Sequence, residues 1–371
     1  MSGASSKLRY RGRLFALSMT LVVALAYYDI FRNEGFTLGT WLASPMDWLF
    51  IAANVVLLFY AVAPFLVDRE RAATLWGRFK ARPEAVLGVM WLAVIYVLGT
   101  VGVVLAPEPT LDFLNANQPP VFGSVSMEQI YQCGGQVLEG RCYGSWAYPL
   151  GTDLNGYDMG LLLLQGLHVT LYVAVISLAL IVPLALVIGT IAGYRGGWVD
   201  SLSMRSVEVQ DAVPPLVVYL LVIFITGESL LVILLLFGFL GWGGAARIVR
   251  SESRRLRDAG YVEASRVLGG DDRHVLKTHV FPAVSGVAVP TATQQVPILL
   301  LTEAGLAFLG LEAFDLQSLG NIIARGTVRG EVPMLAKWWV SGFAVAALSA
   351  TVLSFKFIGD ALVEALDPRL E

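Results

Sequence analysis

The chain has 371 residues, of which 56% are hydrophobic and 15% are charged, and its formal net charge is −3. A soluble domain carries about a quarter charged residues and just under half apolar ones. With a mean hydropathy of +0.67, this composition excludes an ordinary water-soluble domain and predicts a protein solvated by lipid. It predicts no nucleic-acid partner, and three histidines with two cysteines are too few and too dispersed for a metal site.

Eight apolar runs approach the roughly 20 residues that a membrane-spanning helix requires. The first follows a basic N-terminal arm, but it is long for a signal-peptide core and no small-residue cleavage site closes it. We therefore expect an uncleaved spanning helix and an all-α polytopic fold of about eight transmembrane helices. The runs cover residues 14–31, 48–67, 84–106, 167–193, 212–227, 229–246, 283–309 and 338–358.

Charge predicts the orientation, because loops rich in Lys and Arg stay in the cytoplasm. The N-terminal arm, the loop at 68–83 and the segment 247–277 are basic, whereas residues 107–165 carry six acidic residues and one base, Arg141. Alternating sides from a cytoplasmic N-terminus place every basic loop inside and the acidic loop outside. We therefore expect a multi-pass protein of the cell membrane with both termini in the cytoplasm.

The order of spans and loops suggests three parts. Residues 1–83 form an N-terminal extension with two transmembrane helices and a cytoplasmic linker, and residues 84–165 hold the first core helix and the outer loop. Residues 166–371 form the rest of a six-helix core, with a cytoplasmic loop at 250–282. The outer loop contains Cys133 and Cys142, for which a disulfide and two free thiols both remain open.

The most informative stretch lies between the sixth and seventh spans, at residues 261–282. It predicts two short helical pieces broken at Gly269-Gly270, with Pro282 beginning the next span. Small residues at the break and on the first piece would let another surface approach the backbone closely. A solvated loop resting on lipid headgroups is the alternative. One face of the first piece carries Tyr261, Ala264, Ser265 and Leu268.

The detailed pattern of this stretch favours a contact surface for another protein over a solvated loop. Glu263-Ala264-Ser265, then Gly269 six residues after the glutamate, then His279-Val280-Phe281-Pro282, resembles the EAA loop of binding-protein-dependent ABC transporter permeases. The sequence departs from the family at Ser265, where a second alanine is usual, and this is a small-for-small change.

Two further stretches resemble the dipeptide/oligopeptide/nickel subfamily of these permeases. Residues 148–158 are similar to its "HPLGTDxxGRD" motif near the outer mouth, although Tyr148 and Tyr157 depart from it. Residues 303–311 and 318–321 resemble its "EAxLSFLGLG…WGN" stretch, and the resemblance covers residues 84–371. The matching positions of the first motif are Gly151, Thr152, Asp153, Gly156 and Asp158.

The resemblance implies an importer assembled from several chains. A second, similar permease subunit would pair with this one, two ATPase subunits would dock beneath the pair, and an extracytoplasmic binding protein would deliver a peptide, or nickel or another small solute. Residues 261–268 would be the coupling helix, with Glu263 as the polar contact and Gly269 with Gly270 supplying the bend. The expected docking positions are Tyr261, Glu263, Ala264, Ser265, Leu268, Gly269, Gly270, His279 and Pro282.

Missing motifs separate this hypothesis from its rivals. No lysine follows a glycine, so the chain has no P-loop, and ATP and Mg²⁺ are expected on the partner ATPase subunits. No catalytic arrangement is seen, and we expect a subunit without enzymatic activity. A stand-alone channel or ion-coupled carrier is the rival class, but the spans are nearly free of the buried charges that ion coupling uses. Trp338 and Trp339 are expected in an interfacial aromatic belt, and Gly189 with Gly193 could bring two helices together.

Overall fold

The fold is that of a computed structural model, which describes residues 2–32, 37–38, 41–59, 69–267, 269, 271–311, 317–327 and 337–366. Within these ranges most of the chain is helical, which confirms the predicted all-α class. The helices are α1 (Ser2–Arg32), α2 (Pro45–Leu57), α3 (Arg69–Lys80), α4 (Pro83–Val97), α5 (Val103–Leu105), α6 (Met159–Arg195), α7 (Gly197–Ala212), α8 (Pro215–Thr226), α9 (Leu230–Arg257), α10 (Gly260–Val267), α11 (Asp272–Val275), α12 (Phe281–Thr293), α13 (Val296–Phe308), α14 (Leu319–Thr327) and α15 (Trp338–Leu366).

Two small antiparallel sheets interrupt the helices. β1 (Thr37–Leu38) pairs with β2 (Trp41–Leu42). In the second sheet the order is β3-β5-β4, because β5 (Arg141–Tyr143) lies between β3 (Ser124–Ser126) and β4 (Val137–Leu138). This second sheet belongs to the long segment between α5 and α6, which we call the large loop (residues 107–158).

Six predicted spans have a counterpart among the described helices that is long and apolar enough to cross a membrane. Two of these are interrupted: α4 continues into α5 through a π-helical turn at Leu98–Gly102, and α12 continues into α13. The six are Gly12–Arg32, Pro83–Leu105, Met159–Arg195, Leu230–Arg257, Phe281–Phe308 and Trp338–Ala365.

The fifth predicted span differs from a straight helix. α7 and α8 are long and apolar enough to cross a membrane only when taken together, and they meet at a bend of 79°. The bend falls at Pro214 and Pro215, where Pro215 opens α8. A proline has no amide hydrogen to donate and its ring disfavours a helical residue before it, so the helix stops and restarts in a new direction.

The second predicted span, residues 48–67, is described only in part. α2 begins at Pro45, where Ser44 and Asp47 form a reciprocal capping box. The helix is 13 residues long, and residues 60–68 lie outside the described part of the chain.

The N-terminal extension is joined to the core by polar contacts between α2 and α6. The buried carboxylate of Asp47 accepts a hydrogen bond from the hydroxyl of Tyr172. His168 lies 2.7 Å from that hydroxyl through Nε2, and its Nδ1 lies 2.5 Å from the carbonyl oxygen of Gly99 in the π-helical turn. These side chains connect α2, α6 and the first core span.

The core is centred on the packing of α6 against α9, which run in the same direction, since Gly189 faces Ala246 and Gly193 faces Arg250. A side chain at Gly189 would lie 2.6 Å from the carbonyl oxygen of Ala246, and one at Gly193 would also meet the backbone of α9. The glycine pair therefore lies at a helix interface, which requires small residues for close approach. Nearby, the buried Ser253 hydroxyl donates to the carbonyl oxygen of Thr190 at 3.0 Å.

Candidate functional site

The large loop and the stretch at 261–282, called the EAA-like segment below, lie at opposite ends of α6. The large loop leads directly into Met159, the first residue of this helix. At the other end, the hydroxyl of Tyr194 donates to Asp272 of the EAA-like segment at 2.8 Å. At 1.5 Å per residue the two points are about 53 Å apart along the helix, enough to separate the two faces of a membrane.

Buried valines hold the EAA-like segment on the bundle. Val262, Val275 and Val280 are fully buried. The short helix α10 carries the first of these on its inner side, whereas Tyr261 is 50% exposed and Val267 is 82% exposed. The segment is therefore attached along one side and leaves the other side open within the described residues.

The predicted docking positions fall mainly on the open side. Glu263 and Ala264 are exposed and Ser265 is half-buried. The ring of the half-buried His279 lies 5.9 Å from that of Tyr261. Leu268 and Gly270 lie outside the described residues.

The break between the two helical pieces has the geometry that glycine permits. Gly269 has φ +88°, and a side chain there would meet nothing within 4 Å. On the second piece, the amide of His274 donates to the carboxylate of Asp271 at 2.9 Å, which caps α11. Pro282 lies in the first turn of α12, as the sequence predicts.

An ionic cluster braces the bundle at the same end of α6. Asp200, near the start of α7, is buried and accepts hydrogen bonds from two nitrogens of Arg250, one of them at 2.6 Å. Arg254 lies 3.1 Å from the same carboxylate. The sequence alone gave no reason to pair Asp200 with the two arginines of α9, which lie 50 and 54 positions further along the chain.

At the other end of α6, the motif residues of the large loop are buried in a dense set of bonds. Thr152 and Asp153 are fully buried. One carboxylate oxygen of Asp153 accepts from the amides of Asn155 and Tyr157, both at 2.9 Å. The other oxygen accepts from Arg325 of α14 at 2.9 Å.

Arg325 joins the two subfamily motifs, which are far apart in the sequence. Besides Asp153, its guanidinium contacts Gln317 and lies 5.3 Å from the ring centre of Tyr157. It follows the second motif by four residues, yet the sequence alone gave no reason to pair it with Asp153. The carboxylate and guanidinium are both buried, and such a pair requires its partners to stay together.

Trp339 also contacts the first motif, and its buried position shows that the predicted place in an interfacial aromatic belt was wrong. The indole is 1% exposed and donates to the carbonyl oxygen of Thr152 at 3.0 Å, so it does not belong to an interfacial aromatic belt. Trp338 is exposed at the surface. A side chain at Gly151 would lie 2.9 Å from the Trp339 nitrogen, and this residue has φ +82°. Glycine is thus required there by space and by conformation.

The remaining motif positions also have structural partners. Asp158 caps α6 by accepting from the amide of Gly160 at 2.6 Å. Gly156 has φ +82°, and a side chain there would overlap the carbonyl group of Asp112. Burial and the nearby carboxylates of Asp112 and Asp158 raise the pKa of the Tyr148 phenol.

The two cysteines of the large loop are joined. Cys133 and Cys142 form a disulfide with a Cα–Cα distance of 5.7 Å. Cys142 lies on the central strand β5 and is fully buried. The bridge therefore fastens the segment before β4 to the middle of the sheet.

The apolar spans, the bent helix pair and the open helical segment at one end of the bundle define a multi-pass membrane protein. Residues 185–371 match the protein family described as "binding-protein-dependent transport system inner membrane component". The chain belongs to this family, and it is a multi-pass protein of the inner membrane.

Curated relatives agree with this assignment. The chain is 33% identical over 220 residues to the oligopeptide transport system permease protein OppC of Haemophilus influenzae, covering 59% of this chain and 70% of that relative. It is 27% identical over 297 residues to the dipeptide transport system permease protein DppC of Bacillus subtilis, covering 80% and 85%. It is 28% identical over 313 residues to OppC of Bacillus subtilis, covering 81% and 92%.

Proposed function

We propose that this chain is the membrane-spanning permease subunit of an ATP-driven peptide importer and docks a separate ATPase through its EAA-like segment. The observation that carries the proposal is the two-sided construction of that segment. Val262, Val275 and Val280 fix it to the bundle, while Tyr261 and Glu263 project from it. An amphipathic element this short does not stand alone, so its open side calls for a partner surface.

The proposed partners include the subunits that would hydrolyse ATP for this chain. Since its sequence contains no P-loop, we assign ATP and Mg²⁺ to two ATPase subunits and no enzymatic activity to this chain. A second homologous permease subunit would supply the other half of the pathway, and an extracytoplasmic binding protein would deliver the substrate. The basic loops favour a cytoplasmic position for both termini and for the EAA-like segment.

Movement of the ATPase would reach the spans through the contacts of the EAA-like segment. The buried valines and the bond between Tyr194 and Asp272 connect it to the end of α6. The pair formed by Asp200 and Arg250 then ties α7 to α9. A push on α10 would therefore move these helices together, which is what alternating access across the membrane needs.

Co-purification tests the docking assignment. Glu263→Arg combined with Gly269→Pro should remove the ATPase subunits from the purified complex, because it reverses the charge of the open face and blocks the left-handed bend. Glu208→Arg, at an exposed glutamate of α7, is the matched control and should leave the complex intact. Normal recovery of the ATPase subunits with the double variant would overturn the assignment.

Uptake tests the substrate. The names of the relatives favour peptides, and the same resemblance includes nickel permeases. Labelled dipeptides, labelled oligopeptides and ⁶³Ni²⁺ should be supplied to cells with and without the gene. Gene-dependent peptide uptake supports the proposal, whereas gene-dependent uptake of nickel alone contradicts it.

A further inference from the structure

A cavity of about 450 Å³ separates part of the N-terminal extension from the core. One wall is a face of α2, the opposite wall is the second half of the first core span, and His168 of α6 also lines the space. The apolar side chains of the α2 wall belong to Phe50, Ile51, Val55 and Leu58, and Val104 lies on the other wall. The extension and the first core span therefore do not pack closely along their whole length.

The polar side chains between the two walls are already bonded to the protein. The hydroxyl of Tyr96 donates to the side-chain oxygen of Asn54 at 3.0 Å, and the amide nitrogen of Asn54 donates to the carbonyl oxygen of Phe50 at 2.9 Å. The hydroxyl of Thr100 donates to the carbonyl oxygen of Tyr96 at 2.6 Å. These groups line the cavity without needing a ligand to bond them.

The two ionisable groups at the cavity are bonded as well. The Asp47 carboxylate accepts from the amide and the hydroxyl of Ser44, both at 2.7 Å, and from the hydroxyl of Tyr172. His168 lies 2.5 Å from the carbonyl oxygen of Gly99 and 2.7 Å from the Tyr172 hydroxyl. A peptide or another polar solute would thus lose its bonds to water and find each polar side chain of the lining already engaged, which disfavours its entry.

The size of the cavity requires an occupant. A single water molecule needs about 10–15 Å³ of such space, and apolar cavities stay dry because water finds too few partners in them. Voids larger than one water molecule are few in protein interiors, since their walls lose packing contacts. A space of about 450 Å³ is therefore best filled by an apolar molecule.

The rim of the cavity faces lipid. The first core span, Pro83–Leu105, is long and apolar enough to cross a membrane. On this span Val97 is 56% exposed and Val101 is 52% exposed, and on α2 the lining residues Ile51 and Leu58 are 38% and 50% exposed. In a bilayer such surfaces contact acyl chains, so hydrocarbon is the molecule available at the opening.

We propose that this cavity binds an acyl chain of a membrane phospholipid, which fills the space between α2 and the first core span. The inference requires only that these helices lie in a membrane, so it does not depend on the transported solute or on the ATPase. It assigns a lipid site to the joint between the extension and the core, outside the family match at residues 185–371.

Photolabelling of the complete transporter tests the site. The transporter is reconstituted with phosphatidylcholine that carries a diazirine in one acyl chain, extracted into mild detergent, washed and irradiated, and the adducts are mapped by peptide mass spectrometry. Washing removes loosely held lipid, so the adducts report the chains that the protein retains.

Two double variants with the same added volume separate the cavity from the outer surface. Val55→Trp with Val104→Trp fills the cavity, because both residues line it and are half-buried. Val97→Trp with Val101→Trp is the matched control, because these exposed residues do not belong to the lining.

Wild type should form adducts within residues 50–58 and 96–104. The cavity-filling variant should lose them roughly tenfold, since two indole rings occupy the volume that the methylene groups would fill. The control should retain them. A washed wild type without adducts in these stretches overturns the inference, and so does an equal loss in both variants or a loss of less than twofold in the cavity-filling variant. Labelling by free diazirine palmitate but not by the phospholipid overturns the phospholipid assignment.

Melting temperatures give a second measurement that does not rely on labelling. Added phosphatidylcholine should raise the melting temperature of the wild type and the control in detergent, because a ligand that binds only the folded state stabilises it. The cavity-filling variant should melt near the wild type without added lipid, which shows that it is folded, and should gain little when lipid is added. An equal gain in all three proteins contradicts a lipid site in the cavity.

Discussion

The large loop and the EAA-like segment both contain sequence motifs, but the structure uses those motifs in opposite ways. In the loop, Asp153 is fully buried and bonded on both oxygens. In the segment, Glu263 is exposed. A motif can thus specify the inside of a fold or prepare a surface, and residue types alone do not distinguish the two.

The glycines of the two regions show the same contrast. Gly156 and Gly269 both have positive φ, at +82° and +88°. A side chain at Gly156 would overlap the Asp112 carbonyl group, whereas one at Gly269 would meet nothing within 4 Å. The loop needs glycine for space and conformation, and the segment needs it for conformation alone.

The largest effect is expected from breaking the buried ion pair of the loop. Asp153→Ala leaves Arg325 buried without its carboxylate, and this should lower the free energy of unfolding by about 3–5 kcal/mol. Glu263→Ala should change the free energy of unfolding by less than about 0.5 kcal/mol, because the substitution of an exposed side chain removes few contacts. Denaturant titration of the purified protein in detergent micelles measures both.

A second pair of variants tests whether charge, rather than packing, causes the loss. Replacing both partners, Asp153→Leu with Arg325→Met, should destabilise the protein less than Asp153→Ala alone, because no charge is left unpaired. If Asp153→Ala costs no more than Glu263→Ala, the contrast between the two regions fails.

Alanine at the two glycines should give an intermediate effect. Gly156→Ala should destabilise by about 3 kcal/mol, combining roughly 1–2 kcal/mol for the left-handed conformation with overpacking against Asp112. Gly269→Ala should cost only the conformational part, about 1–2 kcal/mol. The same denaturant titration compares them, and equal losses would show that the space around Gly156 is not restrictive.

The smallest effect is expected on thermal stability at low pH. A hydrogen bond from the side chain of Asn115 holds the pKa of the exposed Asp112 carboxyl below its usual value of 3.8. Because the folded state binds this proton more weakly than the unfolded state, the bond stabilises the protein above the usual pKa and its contribution is lost as the pH falls through the lowered one. Melting temperatures between pH 6 and pH 3 should therefore fall slightly more for wild type than for Asp112→Asn. Parallel curves for the two proteins contradict this role.

Composition and local pattern predicted the spans because each depends on neighbouring residues. The apolar runs, the break at Gly269 and the start of α12 at Pro282 are all properties of short windows. The bend of α7 against α8 was missed although its cause, Pro214-Pro215, is visible in the sequence. Hydropathy averages over such a pair and does not register a change of direction.

The partners of the buried motif could not be predicted, because they are distant in sequence. Asp153 and Arg325 are 172 positions apart, and a single sequence contains no information that pairs them. Trp339 was misplaced for a related reason. Interfacial and buried tryptophans have similar neighbours in the sequence. Only the folded structure, in which the Trp339 indole donates to the carbonyl oxygen of Thr152, distinguishes them.

The bond between Tyr172 and Asp47 has a consequence for the order of synthesis. The two residues are separated by 125 positions, so at about 5–20 residues per second the ribosome needs roughly 6–25 s to make the second after the first. During that interval Asp47 has the capping contacts with Ser44, which lies three residues away. The contacts of the Asp47 carboxylate with Ser44 are local, so they require no residue beyond α2, whereas its bond with Tyr172 requires α6 to have been made.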